Sequence, residues 1–130
     1  MHVLLASFSA SMLALFFNRF VVSRWGDFAI SVIVPIAEEL LKTLLGVFFG
    51  ASIFYTHFGF GVIEAMWDMK VNPKGFRPAV FSLITHSFFG FVTLYAYYFT
   101  GFLLIGIITG SIFHIFWNSY IIKYSERVKE

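Results

Sequence analysis

Between Phe28 and Tyr55 the chain is apolar except for one charged cluster, Glu38-Glu39-Leu40-Leu41-Lys42. Charge in such a setting is costly, roughly 2.5–3.5 kcal/mol per group at the centre of a bilayer on insertion scales. Two adjacent carboxylates also repel each other in a low dielectric and titrate as a coupled pair. Lys42 follows Glu39 by three residues and Glu38 by four, so a helix brings it within reach of both. The run is therefore expected to be a helix whose acidic pair faces protein. A helix end near the headgroups would tolerate the pair as well. Apolar sequence, however, continues through Leu44, Leu45, Val47, Phe48 and Phe49. The pair thus reads as a functional site at membrane depth.

The composition supports that setting. The 130 residues suit a single domain. They are 59% hydrophobic and 12% charged, against ~45–50% and ~25% for soluble domains. Mean hydropathy is +0.84. The net charge of +2 is small and argues against a nucleic-acid partner. The absence of cysteine excludes disulfides, thiolate metal sites and a cysteine nucleophile.

The expected fold is all-α, a polytopic transmembrane bundle of about five spans. Val3–Val22 is the first span, with Asn18 and Arg19 interrupting its far end. Small residues at Ala6-Ser7-Phe8-Ser9-Ala10 offer a signal-cleavage site, but no basic segment precedes them, so a retained helix is expected. Ser23–Asp27 is a polar loop. The stretch from Phe28 to Trp67 exceeds the ~20 residues of one span. Gly50-Ala51-Ser52 divides it into helices over about 28–49 and 52–68. Asp68–Phe76 is a loop, 77–99 a fourth helix, Thr100-Gly101 a turn, 102–122 a fifth helix, and Lys123–Glu130 a polar tail.

Charge checks the count. With five spans, Arg19, Arg24, Lys70, Lys74, Arg77, Lys123, Arg127 and Lys129 all fall on one side, and the remaining cation is Lys42. The positive-inside rule then puts the N-terminus outside and the C-terminus in the cytoplasm.

At ~1.5 Å per helical residue, Glu38 and Glu39 lie roughly 15 Å from the cytoplasmic side, His86 roughly 13 Å, His114 about 12 Å and Glu64 about 6 Å. Four helices thus carry ionisable groups into one layer, open to the cytoplasmic half. Gly106, Gly110, His114 and Asn118 make one stripe of the fifth helix, and Ser82, His86 and Gly90 a similar stripe of the fourth. Phe60 and Glu64 share a face of the third. His2 and His57 are expected near the outer interface, without a role. Singly, each polar residue reads as a hydrogen-bonder between helices. Together, a carboxylate beside imidazoles and an amide can activate water and stabilise an oxyanion. Glu38, His86 and His114 also offer a zinc ligand set, although the compact H-E-x-x-H spacing is absent.

Glu38-Glu39-x-x-Lys42, Phe60-x-x-x-Glu64, His86-x-x-x-Gly90 and His114-x-x-x-Asn118 occur in order on successive helices. This series resembles the CAAX-protease and bacteriocin-processing (CPBP) intramembrane proteases. A Lys closing the first motif and a Glu closing the second point to the PrsW branch. The resemblance covers a four-helix core over about residues 34–120. It implies an intramembrane endopeptidase acting on a membrane-embedded or lipidated peptide or protein, without a cofactor. Glu38 would be the water-activating base supported by Glu39, His86 would assist at the water, and His114 with Asn118 would form the oxyanion site. Lys42 and Glu64 would support them. Most relatives carry additional spans, so a homo-oligomer is a further expectation. The superfamily also resembles the non-catalytic scaffold subunit of gamma-secretase, which keeps a scaffold role open, and a proton or ion pathway is a third reading.

The cation distribution yields a direct test. A reporter fused after Glu130 should be cytoplasmic and one fused before Met1 should not; the reverse pattern would remove the five-span assignment.

Overall fold

A computed structural model describes residues 1–71 and 75–127. The fold is all-α. Helix α1 spans His2–Phe28, a π-helical segment spans Ala29–Ile33, and α2 spans Val34–Phe48; α3 (Ile53–Val71), α4 (Phe76–Thr100) and α5 (Leu103–Arg127) complete it. Both α4 and, over Leu103–Ser125, α5 are long and apolar enough to cross a membrane. Asn72, Pro73 and Lys74 of the expected loop, and Lys129 of the tail, lie outside the described residues.

The first turn falls where expected, and two helix ends differ. Helical residues enter the expected Ser23–Asp27 loop, but the helix is broken inside it at Gly26, whose non-helical φ of 50° and ψ of −131° are open to glycine alone at low cost. Helix α3 continues three residues past Asp68, to Val71, and α5 continues through Lys123 to Arg127. No Gly or Pro stops either helix at the expected point, and polar side chains can extend a helix into solvent.

Helix α2 packs against α1, α3 and α5, while α4 lies against α3 and α5 and α1 also meets α3. The short turns at Phe49–Ser52 and Gly101-Phe102 make sequential helices antiparallel neighbours. Gly101 takes the left-handed conformation with φ 76°, and its N–H closes on Tyr97 O at 2.8 Å.

Polarity is inverted relative to a water-soluble bundle. The largest fully buried side chains are Lys42, Phe89, His57 and Glu39. Phe16, Phe48, Phe99 and Phe116 are exposed, as are most of the other large apolar side chains. The small residues Ala10 and Ala14 of α1 pack with Phe60, and Leu41 and Leu45 lean on that cluster.

Glycines let the backbones close around the polar centre. A Cβ at Gly90 would lie 2.6 Å from His57 Cβ, and one at Gly61 would lie 3.0 Å from His86 Cβ. At Gly110 a Cβ would strike the Thr93 side chain and come within 2.9 Å of Glu39 Oε2. Gly110→Ala should therefore lower stability by about 1–3 kcal/mol. Thermal unfolding of the purified variant measures this, and an unchanged midpoint would contradict the close approach of α5 to Glu39.

Candidate active site

The centre of the bundle is the Lys42 ammonium, with no solvent exposure. Its Nζ lies 2.6 Å from Glu39 Oε1 and 3.7 Å from Glu38 Oε2. It donates to His86 Nδ1 at 3.0 Å and sits 4.6 Å from the centroid of the Phe60 ring, whose face attracts a cation. An ammonium has only donors, so His86 Nδ1 must accept, and the other ring nitrogen carries the hydrogen. That nitrogen donates to Glu64 Oε2, which also accepts from the Ser82 hydroxyl at 2.7 Å. The Ser82–His86–Gly90 stripe of α4 thus faces the site over its whole length.

The acidic pair divides in two. Glu39 is fully buried and saturated with donors. Its Oε1 takes Lys42 and His114 Nδ1, the latter at 3.0 Å, and its Oε2 takes His57 Nε2 at 2.9 Å. Glu38 keeps one oxygen in reserve. Its Oε1 accepts from Asn18 Nδ2 at 2.8 Å. Its Oε2 faces Lys42 at 3.7 Å and His114 Nε2 at 3.9 Å, both beyond direct hydrogen-bonding distance.

Because His114 Nδ1–H donates to Glu39, its Nε2 presents a lone pair toward Glu38. This is the carboxylate–imidazole arrangement that fixes a tautomer. The ring is held by stacking on Phe89, centroids 4.5 Å apart. A cavity of about 570 Å³ opens onto Asn18, Glu38, Glu64, His86, His114 and Asn118.

Asn118 borders that cavity but already has a structural partner. Its Nδ2 donates to Ile30 O at 3.0 Å. In the π segment the Val34 N–H bonds Ala29 O, five residues back. The donor due to Ile30 O in that register would be residue 35, which is Pro35 and has no N–H. Asn118 supplies the missing hydrogen bond.

The structure therefore brings together Glu38, Glu39, Lys42, Glu64, His86 and His114, with Asn118 on the cavity wall. His57 corrects the sequence reading. Expected to be without a role, it is fully buried in the bundle, donating from Nδ1 to Ile53 O at 2.9 Å and bonding Glu39 through Nε2. The reason is that His57 is one turn into α3, where Gly90 lets α4 close over it. The signal was the seven-residue step from His57 to Glu64, which puts both on one face of α3. Asn18, read only as an interruption of the first span, is the other residue missed.

The suggested zinc ligands do converge, with donor atoms of Glu38, His86 and His114 within 4.8 Å of one another. They do not fit a metal ion as arranged, because both His86 nitrogens are engaged and Lys42 already supplies the cation. No family model matches the sequence, and no curated protein or solved structure matches it either.

Lys42→Met should cost about 3–5 kcal/mol, the usual loss when one partner of a buried pair is removed. Glu39→Gln added to it should restore part of that loss. A double-mutant cycle on thermal unfolding measures the coupling, and simple additivity would show that the two groups do not depend on each other.

Proposed function

We propose that this chain is an intramembrane endopeptidase of the CPBP/PrsW type, spanning the bilayer about five times with its C-terminus in the cytoplasm. The apolar exterior and polar centre support the membrane reading, since lipid removes the reason to hide Phe and Leu. Among the described residues, Arg19, Arg24, Lys70, Arg77, Lys123 and Arg127 belong to helix ends on one side of an up-and-down bundle. That agrees with the positive-inside rule.

One observation carries the chemistry. Glu38 has one oxygen tied by Asn18 and the other directed at the His114 Nε2 lone pair beside a cavity. Two acceptors 3.9 Å apart suit the two hydrogens of one water. Glu38 Oε2 takes a proton as the water oxygen adds to the carbonyl carbon of a peptide. The oxyanion takes a hydrogen bond from the second Nδ2 hydrogen of Asn118. The C–N bond then breaks, and the proton held by Glu38 passes to the leaving nitrogen, giving a carboxylic acid and an amine. His114 orients the water. Glu39, Lys42 and His86 are positioning residues. The role of His86 is accordingly to hold Lys42 rather than to touch the water.

The saturation of Glu39 and the Asn118–Ile30 bond also favour a second reading, a non-catalytic membrane scaffold. The two diverge at Glu38. As an endopeptidase in proteoliposomes the protein should cleave a quenched fluorescent peptide library, Glu38→Gln should lower turnover by roughly 10²–10⁴-fold, and exhaustive chelation should leave turnover unchanged. Loss on chelation with recovery by zinc would make Glu38, His86 and His114 ligands. A Glu38→Gln protein with wild-type behaviour in cells and no cleavage by either form would establish the scaffold.

A further inference from the structure

Asn18 belongs to α1, outside the helices that carry the four motifs, and reaches across to the site. An amide is two-sided, its nitrogen donating and its oxygen accepting. The Glu38 carboxylate takes the donor side at 2.8 Å, which sets the orientation of the group. Asn18 Oδ1 is then left buried without a hydrogen-bond partner among the described residues. Such orphans are rare in folded proteins and call for a water or a ligand. Oxygens of Thr43, Thr93 and Ser111 share that condition, but those residues line neither space around Glu38.

Asn18 lines both of them. One is the cavity of about 570 Å³ described above. The other is a cleft of about 100 Å³ between α1 and α3, bordered by Met12, Leu15, Ile63 and Trp67, which also reaches Glu38. A peptide drawn into either space loses water from its backbone N–H groups, and each needs an acceptor there. In the hydrolysis above, Glu38 Oε2 and His114 Nε2 are occupied by the attacking water. Asn18 Oδ1 remains as an acceptor on the group that holds Glu38 itself.

We propose that Asn18 is a substrate-contacting residue of this site: its Nδ2–H holds Glu38 with Oε2 toward the water, and its Oδ1 accepts one backbone N–H of the substrate next to the scissile bond. The inference rests on the endopeptidase reading. It makes the enzyme selective for backbones with a free N–H at one position, so N-methylation there is a specific lesion.

The test uses full-length protein in proteoliposomes and the fastest-cleaved member of a palmitoylated, quenched fluorescent peptide library. That peptide is also made with a single N-methyl group at each position around the cut. In the wild type, one N-methyl position should raise KM about tenfold, the effect of one lost hydrogen bond. Asn18→Leu should raise KM to a similar extent, lower kcat, and become insensitive to that N-methyl group. Asn18→Asp keeps an acceptor oxygen and loses the donor, so kcat should fall about 100-fold while KM and N-methyl sensitivity persist. A purely structural role for Asn18 would leave the N-methyl pattern unmoved.

Kinetics within twofold of wild type in both variants, or equal N-methyl costs in wild type and Asn18→Leu, would overturn the proposal and leave the endopeptidase reading standing. If Asn18→Leu does not fold, loss of N-methyl sensitivity in Asn18→Asp overturns the proposal and retention supports it. If neither variant folds, Asn18 is structural and the proposal fails. Absence of cleavage by the wild type, or full cleavage by Glu38→Gln, removes the endopeptidase reading and this inference with it.

Discussion

The bundle depends on one ion pair, Lys42 with Glu39, closed at 2.6 Å and without solvent. Neither charge survives burial alone, because desolvation of a single ion costs more than any nearby packing returns. Held together, they become a template. Glu39 draws in His114 and His57, and Lys42 turns His86, which in turn engages Glu64. Four helices are tied to one another by groups that lipid or an apolar core would otherwise reject. The exterior is then left free to be apolar.

Adjacent residues on a helix point about 100° apart, given ~3.6 residues per turn. That angle explains why Glu38 and Glu39, neighbours in sequence, have different surroundings. Glu39 faces the helices that close on it, where Gly90 and Gly110 let α4 and α5 approach. Glu38 faces α1 and the cavity, with one oxygen uncommitted. A saturated carboxylate is fixed and unavailable as a base. A carboxylate held at one oxygen is oriented and still able to take a proton. The π segment adds a second constraint, because Pro35 leaves the Ile30 carbonyl unserved and Asn118 must bridge to it. The residue expected at an oxyanion is thereby also a strut between α5 and the start of α2.

Much of this was legible in the chain. The breaks at Gly50-Ala51-Ser52 and Thr100-Gly101 were visible as interruptions of apolar runs, and the helices meet there. The convergence of Glu38, Glu39, Lys42, Glu64, His86 and His114 followed from depth counted along helices and from four-residue stripes. The turn within Ser23–Asp27 was legible too, because Gly26 supplies the backbone conformation that breaks the helix there. His57 misled because a single histidine near a helix start carries no pattern apart from its seven-residue step to Glu64.

The sequence by itself determined the helices, their order and the faces that carry charge. Those depend on local periodicity and on the cost of placing Glu and Lys in an apolar run, both properties of neighbouring residues. Only the tertiary structure decided which atoms meet. That His57 completes the shell of Glu39, that Asn18 holds one oxygen of Glu38 and leaves its own carbonyl oxygen unpartnered, and that Lys42 engages one nitrogen of His86 are consequences of helix rotation and close approach. Hydrogen bonds are set at the scale of a few tenths of an ångström, and positions along the chain carry no information at that scale.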